Sequence, residues 1–284
     1  RPNRFIAEVE VDGNLEIAHV PNTGRCRELL IPGCTVYLEK SDNPNRKTLY
    51  DLVAVEKRYD EISDWKNYPL AFQQRMKNGK EKSLLFNIDS QAPNKVVHEW
   101  LQTQGYSKIK PEYTFGNSRV DFYLEKNDAT TGKTEKILME VKGCTLEVEG
   151  VGYFPDAPTE RGVKHLRELA EATKQGYHCS IAFVIQMPGI KKVLPNKVTH
   201  PEFAVALEEA KAAGVKIYYL CCEIKEDELK IAGYYSSMGV AWAYATAWAK
   251  YPEKTKEYLR EHPIDAETYH KTMRKCLESY RISD

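Results

Sequence analysis

Glu140 and Lys142 stand one residue apart in LMEVKGCTL, residues 138–146, a stretch with the alternation of a buried strand. Successive strand side chains point to opposite faces, so the carboxylate and the ammonium project together while Val141 points away. Asp121, in SRVDFYL, belongs to the strand expected immediately before, on the face opposite Val120 and Phe122. Adjacent antiparallel strands can bring such side chains together, and two neighbouring carboxylates repel one another unless a cation sits between them. A divalent ion such as Mg2+ prefers oxygen ligands and keeps waters and phosphate oxygens in its shell. Lys142 can then orient or deprotonate an attacking water, or stabilise charge on a transferring phosphate. These are the requirements of metal-assisted phosphodiester cleavage. Charges alternating with apolar residues also describe any half-exposed strand, and Asp121 one strand earlier is what favours a site. Glu99, in the helical segment PNKVVHEWLQTQ, supplies a third acid if that helix packs over the strands, and is otherwise part of its solvated side.

The elements around these residues follow from periodicity. PNKVVHEWLQTQ places Val96, Val97, Trp100 and Leu101 on one helical face, with Pro93 tolerated in the first turn. IKPEYTF, SRVDFYLE and EKILMEVKGCTL read as three strands. In TERGVKHLRELAEATKQG, Thr159 is a candidate N-cap, Val163, Leu166, Leu169 and Ala170 form the apolar stripe, and Gly176 closes the helix. HCSIAFVIQ is nearly continuous in apolar residues, as a central strand buried on both faces is, and Gln186 at its end can reach the same site. PEFAVALEEAKAAG predicts another helix and VKIYYLCCE a last strand. Before residue 89 the texture differs. RFIAEVEV, an Asp12-Gly13-Asn14 turn and LEIAHV make a hairpin, and IPGCTVYLEK and KTLYDLVAVEKR add strands, as in a small barrel with OB-like topology among the candidates.

Two loops carry groups suited to phosphates. PNTGRCR offers Asn22, Thr23, Arg25 and Arg27, whose amides and guanidinium groups can contact a nucleic-acid backbone. In GYFPDAPTERGVKHLREL, Thr159 starts a helix with Arg161, Lys164 and His165 close behind, and a helix N-terminus with nearby cations suits a phosphate. Equally, Asp156 or Thr159 can simply cap that helix while Arg161 and Glu160 pair on its surface. The basic stretch IKKVLPNKVTH reads as a long loop. Overall charge gives no general attraction to polyanions, because 41 Lys and Arg balance 41 Asp and Glu, so any such surface must be local. The seven cysteines are odd in number and include no CxxC, which supports neither a disulfide framework nor a zinc site and fits a reducing cytoplasm. MGVAWAYATAWA, residues 238–249, is too short to span a bilayer, and no signal peptide is recognised. From residue 232 onward Tyr269, Met273, Cys276 and Tyr280 recur at helical spacing, and Trp242 and Trp248 sit among apolar neighbours, as in helices packing on the preceding domain or on a second subunit.

The phrases RPNRFIAEVE, HVPNTGR, SRVDFYL, MEVKGCTL and above all GYFPDAPTERGVKHLREL, from Arg1 to about Ile231, resemble the sugar fermentation stimulation protein family. The resemblance implies an OB-like β-barrel over 1–88, a restriction-endonuclease-like PD-(D/E)xK α/β domain with a mixed sheet over 89–231, and a helical extension over 232–284 outside the family core. It implies a DNA-binding protein linked to sugar metabolism, with a nuclease site of Asp121, Glu140 and Lys142 and with Glu99 as the helix acid. Mg2+ or Mn2+ on Asp121, Glu140 and Glu99 is the expected cofactor. Duplex or single-stranded DNA held through its backbone is the expected partner, with no membrane. Val120 replaces the proline of the motif's PD dipeptide, a position that varies in this fold. The alternative within the same family is a non-catalytic DNA-binding regulator that retains the nuclease fold.

Overall fold

Asp12 and Gly13 both take positive φ, 52° and 79°, which is the backbone of the tight two-residue turn whose twist matches paired strands. They join β1 (Ile6–Val11) to β2 (Asn14–His19) in the expected hairpin, with Val11 opposite Asn14. In the computed structural model, β2 runs parallel to β4 (Tyr50–Arg58), which pairs on its other edge with β3 (Thr35–Lys40), and β5 (Ser83–Asn87) also pairs with β4. Ala7 and Val9 of β1, Ala18 of β2, Leu52 and Val55 of β4, and Leu84 and Phe86 of β5 turn inward with Val20 to form their core, against which Val36 and Leu38 of β3 pack. The structure describes residues 1–43, 45–58, 83–116, 118–127, 132–148, 150–190, 192–225, 228–231, 244, 247–261, 269 and 272–273.

The second half begins with α1 (Ala92–Leu101), which carries proline in its first turn and buries Val96, Val97 and Leu101. Three strands follow: β6 (Lys108–Phe115), β7 (Ser118–Asn127) and β8 (Thr134–Cys144). Two short strands, β9 (Leu146–Val148) and β10 (Val151–Phe154), lead into α2 (Glu160–Lys174). Then come β11 (His178–Ile185), β12 (Val193–Pro195), α3 (Pro201–Ala212), β13 (Lys216–Lys225) and β14 (Glu228–Ile231). The main sheet has the order β14-β13-β11-β8-β7-β6. Its centre, β8, β11 and β13, is parallel because α2 and α3 are the crossovers, and antiparallel neighbours flank it on both sides. All of β11 beyond His178 is buried, as its apolar run requires.

Helices cover both faces. On one, Val97 and Leu101 of α1 meet Phe122, Leu124, Met139, Val141, Ala182 and Val184. On the other, Val163, Leu166 and Leu169 of α2 and Phe203, Ala206 and Leu207 of α3 meet Leu138, Ile181, Phe183 and Ile185. The segments read as loops around residues 151–154 and 193–195 instead pair, β10 with β12 in parallel and with β9 antiparallel, in a small sheet of their own. Three- and four-residue strands carry too little periodicity to be read from sequence.

Residues 1–231 form one compact unit and 232–284 a second. In the second, α4 (Pro252–Glu261) carries the Lys256 ammonium 5.9 Å from the Trp248 ring centroid. Tyr269 and Met273 of the expected stripe are helical, whereas Trp242, Cys276 and Tyr280 lie outside the described residues. No described helix is long and apolar enough to cross a membrane.

A candidate carboxylate centre between the two halves

The site starts from a break in a strand ladder. β7 and β8 pair in register from Asn127↔Thr134 to Phe122↔Met139, and the pairing stops there. Two residues farther along β8, the Val141 N–H donates to Asp121 Oδ2 at 2.7 Å, so a side-chain carboxylate takes the place of a ladder carbonyl. On the other edge, the β6–β7 register skips the pair Glu112 and Asp121, and Glu112 adopts φ 53°, a left-handed backbone rare for a residue with a side chain. This irregularity breaks the alternation expected of SRVDFYL. Val120 and Tyr123 enter the core under α2, while Phe122 and Leu124 enter the core under α1. Val120 and Phe122 therefore do not share a face, and Asp121 sits at the switch between them.

Along β8 the alternation holds. Met139 and Val141 point into the α1 core, and Leu138 into the α2 core. Glu140 follows Leu138 and is only 2% exposed. Its Oε1 accepts from both Lys142 Nζ and His165 Nδ1, whereas its Oε2 is buried with no hydrogen-bond partner among the described residues. Burial alone would raise the Glu140 pKa, but the adjacent Lys142 ammonium and the bond from His165 outweigh it and hold the carboxyl below its ordinary value. Asp121 shifts the other way: burial and then the Glu140 charge raise its pKa, against the opposing effects of Lys142, the Val141 N–H and Asn94. The two acids thus feel one another's charge. An unsatisfied buried carboxylate oxygen beside a second carboxylate is a donor set that a hard divalent cation completes, so the residues present fit such an ion.

These groups line a cleft of about 600 Å³ whose walls come from both halves of residues 1–231. Arg4, Asn22, Thr23 and Gly24 contribute from the front, Asn94 from α1, and residues 153–162 from the turn into α2. Asp156 binds these walls together by accepting the Cys26 N–H at 2.8 Å. The packing at Gly24 is tight, since a Cβ there would lie 2.8 Å from both Asn22 Oδ1 and Asp156 Oδ2. On the floor, a Cβ at Gly143 would lie 2.2 Å from Gln186 Oε1 and 2.8 Å from Pro93 Cγ. Gln186 lines the cleft as expected, and its amide donates to Asn87 Oδ1 and to the Asp89 carbonyl. Among the charged lining residues, the cations Arg4, Lys142 and Arg161 face the carboxylates Asp121, Glu140, Asp156 and Glu160, an excess of one negative charge.

The expected residues divide clearly. Asp121, Glu140 and Lys142 come together in one cleft, and Asn22, Thr23, Thr159 and Arg161 line it. Glu99 does not join them: it is exposed and absent from the lining. It lies five positions along the helix from Asn94, about 140° of rotation, so the two cannot face the same way. Asn94 faces the site instead, donating to Asp121 Oδ1 at 2.8 Å. A preference for charge at the helix position passed over this amide. His165, expected among the phosphate contacts, is instead a buried partner of Glu140. Lys164 is exposed beside Glu168, and Arg25 and Arg27 are exposed away from the cleft lining. Asn22 is engaged internally, donating to the Ile88 carbonyl and accepting from Gly24 N–H. Thr159, not Asp156, caps α2 by accepting from Gly162 N–H at 3.1 Å, and Glu160 lies near His200 Nε2 rather than pairing with Arg161. A second group of possible metal ligands, Glu160, His200 and Glu202, places one ligand atom from each residue within 4.8 Å of the others.

The chain is similar to known proteins in both halves. Residues 1–63 match the model of the SfsA N-terminal OB domain, and residues 91–228 that of the sugar fermentation stimulation protein RE domain. A sugar fermentation stimulation protein homolog of Desulfitobacterium hafniense (strain DSM 10664 / DCB-2) is 50% identical over 234 residues, 81% of this chain and 89% of that protein. The homolog of Clostridium beijerinckii is 47% identical over 238 residues, 82% of this chain and 92% of its own length. The solved structure of Pyrococcus furiosus SfsA in complex with Ca2+ superposes with a TM-score of 0.63 at 28% identity, covering 82% of this chain and 90% of that one. The architecture expected from sequence, an OB domain followed by an α/β domain with a mixed sheet, therefore holds. With both domains matched in order and half of the aligned residues identical to those of a relative over most of that relative's length, the chain belongs to the sugar fermentation stimulation protein family.

Proposed function

We propose that this protein is a nuclease that hydrolyses phosphodiester bonds in DNA with Mg2+ or Mn2+ held by Asp121 and Glu140. The observation that carries this reading is the buried, partnerless Oε2 of Glu140 in a cleft shared with Asp121 and Lys142. The relative solved with Ca2+ supports a hard cation in this family, and Mg2+ and Mn2+ favour the same oxygen donors. When bound, such an ion supplies Lewis-acid charge at a phosphate oxygen and lowers the pKa of a water it holds.

The chain's own residues do the rest. Asp121 is fixed by the Val141 N–H and Asn94, so its carboxylate is oriented before any substrate arrives. Lys142, paired with Glu140 on the cleft wall, presents positive charge to the phosphate as the water oxygen bonds to phosphorus and the bond to the leaving sugar oxygen breaks. Arg161 and Arg4 offer further contacts to phosphates along the strand. The cleft's excess of one negative charge becomes an excess of one positive charge once a divalent ion is present, so DNA is held there only by the metal-loaded protein.

Linear duplex, single-stranded and structured DNA incubated with Mg2+, Mn2+ or EDTA tests this, alongside Asp121→Asn and Lys142→Ala. Cleavage in either metal that disappears in EDTA and in both variants is expected. Cleavage that survives both substitutions refutes the site, and DNA that is retarded but never cut in any metal assigns the chain to the non-catalytic binders.

A further inference from the structure

We infer that His165 is the positioning residue of the carboxylate centre, held by Arg161 as the imidazole tautomer with its proton on Nδ1, and that this arrangement keeps Glu140 Oε2 free for a cation. The inference rests on the reading of Asp121 and Glu140 as metal ligands, and it deepens that reading by assigning the group that sets their geometry.

The argument begins with donors and acceptors. Arg161 Nε donates to His165 Nε2 at 3.3 Å across one turn of α2. A guanidinium has donors and no acceptor, so Nε2 must carry a lone pair and the ring proton must lie on Nδ1. Nδ1 is the atom that meets Glu140 Oε1, and a donor there is what a carboxylate needs. The polar chain thus runs from Arg161 on the cleft wall, through the imidazole, to Glu140 on the cleft floor.

Packing makes the chain rigid. His165 is 6% exposed and lies on the face of α2 that buries Leu166, Leu169 and Ala172 in the core. That burial restricts the ring to few orientations. Glu140 has two donors on Oε1 and none on Oε2, so the carboxylate is pinned by one oxygen and offers the other. Lys142 alone would not fix it, because an ammonium on a flexible stem accommodates many carboxylate orientations. A buried imidazole that orients a ligating carboxylate is an outer-shell partner, and losing such a partner typically weakens metal binding about 10- to 100-fold.

A merely structural histidine would satisfy the same hydrogen bonds, so the test reads metal affinity and the proton's position. Mn2+ alone, without nucleic acid, is titrated into wild type, Asp121→Asn, His165→Phe and His165→Asn. Asn can keep a donor near the Nδ1 position, whereas Phe keeps bulk without a donor. Binding about 10- to 100-fold weaker in His165→Phe, with most of the loss recovered in His165→Asn, is expected. Wild-type-like affinity in His165→Phe overturns the inference while the metal site stands. Mn2+ affinity that Asp121→Asn leaves unchanged removes the metal site and this inference together. Long-range proton–nitrogen NMR of the intact wild-type protein provides a reading that needs no folded variant of His165. A proton on Nδ1 with none on Nε2 is expected; a wild-type ring with its proton on Nε2 overturns the assignment.

Discussion

Replacing Glu28 with Gln should stabilise this protein at pH 8 and leave it nearly unchanged at pH 5. Glu28 Oε1 is buried without a hydrogen-bond partner. Burial first, and then the charges of Asp156 and Glu147, push the Glu28 carboxyl from its ordinary 4.5 up to about 7, against the opposing effects of its own backbone N–H and of Lys57. The sign follows from linkage. Between pH 4.5 and about 7 the unfolded chain releases this proton before the folded chain does, so the folded state loses stability as pH rises through that window. At about 1.4 kcal/mol per pH unit, that window sets an upper bound of about 3 kcal/mol, and partial solvent access at Glu28 brings the expected value to about 1–2 kcal/mol. Glutamine is neutral at every pH and fills the same space, so it escapes this loss. For a unit of 231 residues, a gain of that size raises the melting temperature by about 2–8 °C at pH 8. Melting of wild type and Glu28→Gln by scanning fluorimetry at pH 5, 6, 7 and 8 measures the difference directly. A difference that is constant across pH, or larger at pH 5 than at pH 8, refutes the reasoning.

Substitutions at three other positions separate the roles of the residues around the site. Asp121→Asn keeps an acceptor for Val141 N–H and should melt within about 1 kcal/mol of wild type in EDTA, while Asp121→Ala loses two hydrogen bonds and should cost about 1–3 kcal/mol by denaturant titration. Both should abolish Mn2+ binding at the centre. Gly143→Ala drives a methyl group against Gln186 and Pro93 and should lower stability by about 1–3 kcal/mol, with a drop in DNA cleavage although no charged residue changes. Glu99→Ala, on the exposed side of α1, should bind Mn2+ and cleave DNA like wild type; a tenfold loss in either would return Glu99 to the site.

What the sequence made legible is what periodicity encodes. The strict alternation of β8 placed Glu140 and Lys142 on one face, and the stripe and threonine cap of α2 fixed that helix to within a residue. The order of helices and long strands in the second half could be read the same way. The hidden parts depend on departures from periodicity or on residues brought together from afar. At Asp121 the ladder opens and the strand changes face, which no alternating pattern announces. Asn94 was passed over because an amide that orients a carboxylate looks like any polar residue in a first helical turn. The position of His165 near a helix start suggests a phosphate ligand, whereas the rotation of α2 directs it inward to Glu140.

The bond from Cys26 N–H to Asp156 makes the cleft a property of the joined chain rather than of its second half. A second-domain fragment would retain Asp121, Glu140, Lys142 and His165, yet it would lack the opposite bank of the channel, which Arg4, Thr23 and Gly24 supply. On the proposed reading, cation binding draws on residues of the second half alone, whereas retention of a strand needs both banks.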